Sequence, residues 1–551
     1  MYFHQLLKAA VLGMAYFRQV NADPLRYNMS LNSQVRSAYA GPHAITVSWN
    51  TYYELTPPIV HFGESKNALS RRASSDVSVT YPTSLTYNNH VRIEGLQPDT
   101  KYWYLPEHLI NSTEAVGPFT FRTPRLIGDE TPYSVALIVD MGAMGSEGLG
   151  DTAGATIATQ DILMPGEQNT IQSLAKAVDS YDFVMHPGDL AYADTWLTEV
   201  NQGYLNATTD LEGGAKAYES ILDDFYDQCT SFTQHVPYMT APGNHEANCI
   251  DAAYDCPVGQ TNFTGYENHF RMPSDVANQA PNNFGVGNMW YSYDNGMVHY
   301  IMLDMETDMP DYAEESFDPI QFGSYLYQQR DFLAADLAAV DRCMTPWIVV
   351  TGHRQWYSSS SDGQCIACQN IFEELFNEYQ IDIYLSGHYH VYERQHSIGL
   401  NGTIDPKGMN DPVAPWYIIN GIGGHYGGLN PFNVAKSPYQ VYGLSILNAT
   451  YGWSKLTFHN RTHLTHDFIN SSSDAVLDTA TLYKSHNFGA ACKPVVLPSS
   501  TISSSTNSSM PAGASASGLP SSSISSNATS MPSTFLSRTL AVPTTSSSVS
   551  G

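Results

Sequence analysis

Five short motifs hold most of the residues in this chain that could do chemistry together: Asp140-Met141-Gly142, Gly188-Asp189-Leu190-Ala191-Tyr192, Gly243-Asn244-His245-Glu246, Gly352-His353 and Gly387-His388-Tyr389-His390. Each alone is ordinary, since an Asp after a strand usually belongs to a turn and a lone His is usually a satisfied polar group. Together they offer carboxylates, an amide, a phenol and imidazoles, each beside a glycine that lets the backbone turn. Hard oxygen donors with borderline imidazoles suit Fe, Mn or Zn, and the absence of Cys from the set argues against a structural zinc site. The combination points to catalysis at a metal centre.

Donors so far apart in sequence can meet only if separate elements deliver them. Short apolar runs predict buried strands at 133–140, 182–189, 298–304, 347–353 and 381–388, most of them running into a polar residue at the C-terminal end. Helical spacing of Ile171, Leu174 and Val178, and of Phe332, Leu333, Leu337 and Val340, alternates with these strands. An α/β layered arrangement follows, and ligands in such folds gather at the C-terminal ends of the strands. Earlier in the chain the pattern is β-rich: residues 44–49 alternate, 59–62 form a second run, and 95–104 resemble the turn and tyrosine corner of a fibronectin type III domain, with Trp49 as its core aromatic.

In the order Asp, Gly-Asp-x-x-Tyr, Gly-Asn-His-Glu, Gly-His and Gly-His-x-His, over residues 135–394, the motifs resemble the metallophosphoesterase signature, and Tyr192 is similar to the tyrosine of the purple acid phosphatases. The fold class expected is therefore α/β, an N-terminal fibronectin type III-like β-sandwich at 23–125 followed by a layered α/β metallophosphoesterase catalytic domain at 126–496. The resemblance implies that Asp140, Asp189, Tyr192 and His390 hold Fe(III), that Asp189, Asn244, His353 and His388 hold a divalent metal (Zn, Fe or Mn), and that Asp189 bridges the two. It implies an acid phosphatase that hydrolyses phosphate monoesters by attack of a metal-bound hydroxide, the ions lying about 3.5–4 Å apart. His245, next to Asn244, is then placed to hydrogen-bond a transition-state oxygen or relay a proton, the alternative being an orienting role beside Glu246.

Two departures from the family pattern matter. Val139 stands before Asp140 where many relatives have Gly, which alters the local turn. The stretch Arg354-Gln355-Trp356-Tyr357-Ser358-Ser359-Ser360-Ser361-Asp362-Gly363 lacks the paired histidines that protonate the leaving group in plant relatives, so the general acid is open among Asp362, His245, His425 and water. A binuclear phosphodiesterase or pyrophosphatase on the same core is the rival enzyme reading, and a catalytically inactive secreted binding glycoprotein the rival of another kind. Loops at 210–228 and 358–370 are expected to carry specificity.

The bulk composition sets the surroundings. A formal charge of −28 over 551 residues excludes general binding to nucleic-acid backbones, and phosphate recognition must then draw on local positive charge such as bound metal. Residues 1–22 read as a signal peptide, with an apolar run too short to span a membrane. Asn-x-Ser/Thr sites at Asn28, Asn111, Asn206, Asn262, Asn401, Asn448, Asn460 and Asn470 predict surface loops with N-linked glycans on a secreted, extracellular chain. Seven cysteines are too few for a disulfide framework: Cys249 with Cys256 is the easiest short-loop pair, Cys365-x-x-Cys368 reads as a structural bridge, and one thiol is left over. From 497 to 551 the chain is rich in Ser, Thr, Pro, Ala and Gly, predicting a disordered tail, with no terminal apolar stretch to signal a lipid anchor.

Overall fold

Alternating burial builds the first layer pair. In the strand Lys101–Pro106, buried Tyr102, Tyr104 and Pro106 alternate with the more exposed Lys101, Trp103 and Leu105, the period of a strand with one face inward. The computed structural model describes residues 33–488 except 108–116, 145–162, 164–165, 202–204, 248–256, 275–286, 308–326, 360–362, 426 and 433–436. The expected leader and tail, Asn28, Asn111, Asp362 and the Cys249/Cys256 pair lie outside the described residues.

The N-terminal region is a sandwich of two four-stranded antiparallel sheets. One runs Ser33–Tyr39, Ile45–Thr51, Tyr87–Ile93, Val77–Val79, and the other Arg71–Ser74, Ile59–Gly63, Lys101–Pro106, Phe119–Arg122. Trp49, Tyr102, Tyr104 and Phe121 fill the space between them with no exposed surface. The backbone N–H of Gln97 donates to the Tyr102 hydroxyl at 3.0 Å, the tyrosine-corner contact expected from the sequence. Ile45–Thr51 is buried on both faces because its sheet is covered from outside as well. There Ser33–Tyr39 lies on the helix Leu211–Thr233, with Gln34 Nε2 donating to Asp223 Oδ1 at 2.7 Å and Thr233 Oγ1 to the Val35 carbonyl at 2.8 Å.

Two more sheets face each other in the catalytic region. The first orders Tyr238–Ala241, Val184–Pro187, Tyr133–Leu137, Gly452–Asn460, His463–Asn470 and Val476–Tyr483, and its first three strands are parallel. The second orders Tyr291–Asn295, Val298–Leu303, Trp347–Arg354, Ile383–Gly387, Trp416–Asn420, Tyr392–Gly399 and Thr403–Ile404, with Gln440–Leu444 also paired to Tyr392–Gly399. Its four strands from Val298–Leu303 to Trp416–Asn420 are parallel. Aromatic rings lock the sheets together: Phe183 meets Tyr300 edge-on at 5.2 Å, and Tyr133 and Tyr300 share a 2.9 Å hydrogen bond.

All five strands predicted from apolar runs are present, as Tyr133–Leu137, Val184–Pro187, Val298–Leu303, Trp347–Arg354 and Ile383–Gly387. Helices take both predicted patterns, as Thr170–Lys176 and Gln328–Ala339, while Val178 falls in a separate 3₁₀ turn and Val340 is extended beyond the helix end.

Residues 211–228, expected as loop, begin the helix Leu211–Thr233. Asp210 caps it by accepting from the Gly213 N–H at 2.8 Å, and Tyr218, Ile221, Leu222, Phe225, Cys229 and Phe232 form one buried stripe. The second expected loop becomes helical from Ile366 onward, with the Cys365–Cys368 bridge in its first turn. Among the described residues Cys229 is a free, buried thiol, and Cys343 is disulfide-bonded. Asn206, Asn262, Asn401, Asn448 and Asn460 are exposed. Asn470 is not on a surface loop: it is 9% exposed, its amide donates to Thr450 Oγ1, and its carbonyl accepts from Ser472 and Ser473. Among the described residues no helix is long and apolar enough to cross a membrane.

The sandwich meets the catalytic region through buried acids. Glu219 accepts from the Tyr81 and Thr83 hydroxyls at 2.7 Å each, and burial pushes its pKa up from 4.5 to about 8 against the lowering effect of those two bonds. The folded protein therefore holds this proton where the unfolded chain releases it. The stability it confers is full below the unfolded pKa and is lost as pH rises through about 8. Thermal denaturation from about pH 5 to about pH 9 should show this loss in the parent protein and a flatter profile in Glu219→Gln. An identical slope in the variant would refute it.

Candidate metal centre

Parallel neighbours bring the C-terminal ends of strands to one edge, and each motif sits at such an end. Asp140 and Asp189 follow the adjacent strands Tyr133–Leu137 and Val184–Pro187, and Asn244 follows Tyr238–Ala241 beside them. From the facing sheet, His353 lies within Trp347–Arg354, and His388 and His390 follow the adjacent strand Ile383–Gly387. The loops after the first two strands are laddered to each other, with the N–H groups of Met141, Gly142 and Ala143 donating to the carbonyls of Asp189, Leu190 and Ala191.

Turning is done by the functional residues themselves. Asp140, Asp189, Tyr192 and His388 have φ of 56°, 51°, 54° and 66°, in the left-handed region that costs a non-glycine residue of order 1–3 kcal/mol. Four such residues in one site mark a place where geometry is imposed by the surroundings. Two motif glycines serve a different need from the sharp turn expected of them. A Cβ on Gly243 would lie 2.2 Å from Asp189 Oδ1, and one on Gly387 would lie 2.1 Å from Asp140 Oδ2. They are small so that the carboxylates can reach inward.

All seven predicted donors converge, in two groups that share Asp189. In the first, the Tyr192 hydroxyl is 2.8 Å from Asp140 Oδ1, 3.1 Å from Asp189 Oδ2 and 2.9 Å from His390 Nε2. The Nδ1–H of His390 donates to the Gly428 carbonyl at 3.2 Å, which turns its Nε2 lone pair toward that group. In the second, His353 Nε2 is 3.1 Å from Asp189 Oδ2, 3.0 Å from Asn244 Oδ1 and 3.1 Å from His388 Nδ1. Donor atoms of Asp189, His353 and His388 all lie within 4.8 Å of one another.

Charge explains what such a cluster can hold. Burial, then Asp140 and Asp189, push the Tyr192 phenol well above its usual pKa, so it becomes an anionic donor only if strong positive charge arrives at the same point. Burial opposes ionisation of Asp189, yet His353 and His245 outweigh it and hold the carboxyl well below its usual value. A buried anion shared by two groups of oxygen and imidazole donors fits two metal ions on chemical grounds.

His245 lies beside this cluster, and its partner was not read from the sequence. Its Nδ1 is 2.8 Å from both carboxylate oxygens of Asp194, and its Nε2 is 3.8 Å from Asp189 Oδ2. Glu246, the partner considered from sequence, instead accepts from the backbone N–H groups of Asp189, Leu190 and Gly243, pinning the loop that carries the shared carboxylate. Although burial opposes it, the pairing with Asp194 and Asp189 raises His245 to about 10. Asp194 comes back toward His245 through the 3₁₀ turn Ala193–Thr195, which no pattern in the sequence signals. Arg354 was also passed over: it forks onto Glu306 at 2.7–3.1 Å and sets its guanidinium 2.9 Å from His388 Nε2. His425, one of the candidate acids, is poorly suited to proton donation, since burial followed by His390 and His245 holds it well below the usual histidine value.

Two facing sheets thus gather oxygen and imidazole donors at the ends of their parallel strands. Family models match three successive parts of the chain: the purple acid phosphatase N-terminal domain over 32–123, the calcineurin-like phosphoesterase over 140–392, and the iron/zinc purple acid phosphatase-like protein C over 414–479. Acid phosphatase A of Cryphonectria parasitica is 36% identical over 87% of this chain and 96% of its own length, and an acid phosphatase of Aspergillus ficuum is 30% identical over 72% and 75%. The structure of purple acid phosphatase PPD1 from yellow lupin (Lupinus luteus) seeds shares the fold, with a TM-score of 0.59 at 21% identity, covering 83% of this chain and 75% of that one. The chain belongs to the purple acid phosphatase family, whose centre is a binuclear metal site.

Asp194→Asn should lower kcat about 10–100-fold while leaving metal content intact, because it releases His245 without touching a donor. With the carboxylate charge gone, His245 loses its proton at lower pH, so the alkaline limb of the rate profile should move acidward. An unchanged limb would show that His245 carries no essential proton.

Proposed function

We propose that this chain is a secreted acid phosphatase hydrolysing phosphate monoesters, with Asp140, Asp189, Tyr192 and His390 holding Fe(III) and Asp189, Asn244, His353 and His388 holding Zn, Fe or Mn. The observation that carries this reading is the Tyr192 hydroxyl, within 3.1 Å of Asp140, Asp189 and His390 at once. A phenolate is a hard anionic donor that favours a trivalent ion. When bound, the two ions supply an activated water and the positive charge that phosphoryl oxygens need. The leader and the exposed sequons support secretion and N-glycosylation.

The chain's own residues have three tasks. Asp189 faces both groups of donors, so it fixes their spacing. His245, oriented by Asp194 and protonated through the acid range, donates a hydrogen bond to a phosphoryl oxygen and offers its proton to the departing ester oxygen. The P–O ester bond then breaks as water adds to phosphorus, the alcohol leaves neutral, and the proton the water gives up restores that of His245. Arg354, held by Glu306, sets its guanidinium 2.9 Å from His388 Nε2 and so fixes the orientation of that ring.

Metal analysis with the visible spectrum tests the assignment. Iron with a second metal, and a charge-transfer band lost in Tyr192→Phe, is the expected outcome, whereas two metals without that band would indicate another subclass of metallophosphoesterase. A substrate panel should show monoesters preferred over bis-aryl diesters, and preference for the diester would overturn the substrate class.

A further inference from the structure

The face of the Tyr192 ring has a neighbour of its own. The imidazole of His425 stacks on it with centroids 3.7 Å apart and planes 24° from parallel, while the ring of His390 meets His425 at 4.8 Å and 64°. The phenol is therefore held by its oxygen among the donors and by its ring face against an imidazole. Hydrogen bonds of its own backbone anchor the residue that carries this imidazole. The His425 N–H donates to the Asp140 carbonyl at 3.2 Å, and its carbonyl accepts from the Tyr451 hydroxyl at 2.8 Å and from the Gly428 N–H at 3.2 Å. A Cβ on Gly427 would fall 2.4 Å from the imidazole, so the ring occupies space that only glycine leaves open. Both ring nitrogens are sealed from solvent. The contact on Tyr192 runs face to face, through ring area.

We propose that His425 is a positioning residue for Tyr192, its imidazole fixing the orientation of the phenol and keeping water from it, so that it sets the phenolate's strength as a donor to iron. The inference rests on the tyrosinate–iron reading above. An aromatic pair of this kind contributes geometry beyond its buried area, and residues behind a ligand control both solvent access and ligand basicity. With the ring removed, water reaches the phenolate and hydrogen-bonds to it. That bond stabilises the electrons a ligand-to-metal transition must lift, so the transition moves to higher energy. It also weakens the hold on iron.

The test compares wild type, His425→Ala, His425→Asn and His425→Phe, each loaded with iron and a divalent metal, by visible spectrum and by chelator competition. The alanine and asparagine variants should move the band to shorter wavelength and lose iron roughly 10-fold more readily. Phenylalanine, which keeps a flat ring, should hold the wild-type band. If the alanine variant does not fold by circular dichroism, the asparagine and phenylalanine pair decides the matter. A wild-type band that stays in place in the folded asparagine or alanine variant overturns the inference alone. Absence of any band in metal-loaded wild type overturns the iron reading and the inference with it.

Discussion

A single buried carboxylate, Asp189, governs the geometry of this protein. Its Oδ2 faces Tyr192 at 3.1 Å on one side and His353 at 3.1 Å on the other, while its Oδ1 accepts from the His245 N–H at 3.0 Å. The two groups of donors meet at it. A charge buried in this way is tolerable only when compensated, which is why the elements around it are so tightly specified. Glu246 holds its backbone, Gly243 leaves room for its side chain, and left-handed backbone at Asp189 itself aims it across the strand ends.

The larger architecture follows from that need. Donors from both sheets must reach one point, so the parallel strands of each sheet end on the same edge and the sheets are locked face to face by Phe183, Tyr133 and Tyr300. The strained turns at Asp140, Tyr192 and His388 persist because the surroundings over-determine them. The sandwich strands supply none of the seven donors. It covers the helix Leu211–Thr233, and through Glu219 it adds an interface that favours acid conditions.

What could be read in advance was chemistry carried by residue type and order. The convergence of the seven residues was legible because their motifs resemble a family signature and set oxygen and imidazole groups at strand ends beside glycine, and the strands themselves were legible as apolar runs. The partners of those donors were not. Asp194 reaches His245 only after a 3₁₀ turn whose cap, Tyr192, sits at φ 54°, and no periodicity announces that turn. The helix Leu211–Thr233 was hidden by Gly213 and Gly214 in its first turn. They are there because a Cβ would strike Thr208 at the first and Trp196 at the second. The antiparallel strands from Gly452 to Tyr483 extend a sheet whose other strands lie hundreds of residues earlier, a pairing local pattern does not reveal. Burial of Asn470 likewise depends on a contact with Thr450, twenty residues away.

The central claim is that two metal ions share Asp189. X-ray absorption on the metal-loaded protein tests it most directly, by the metal–metal vector in wild type and in Asp189→Asn. The account predicts a vector of about 3.5–4 Å in wild type that disappears in the variant. Fully loaded wild-type protein with no metal–metal vector, or a vector that survives in folded Asp189→Asn, would contradict it.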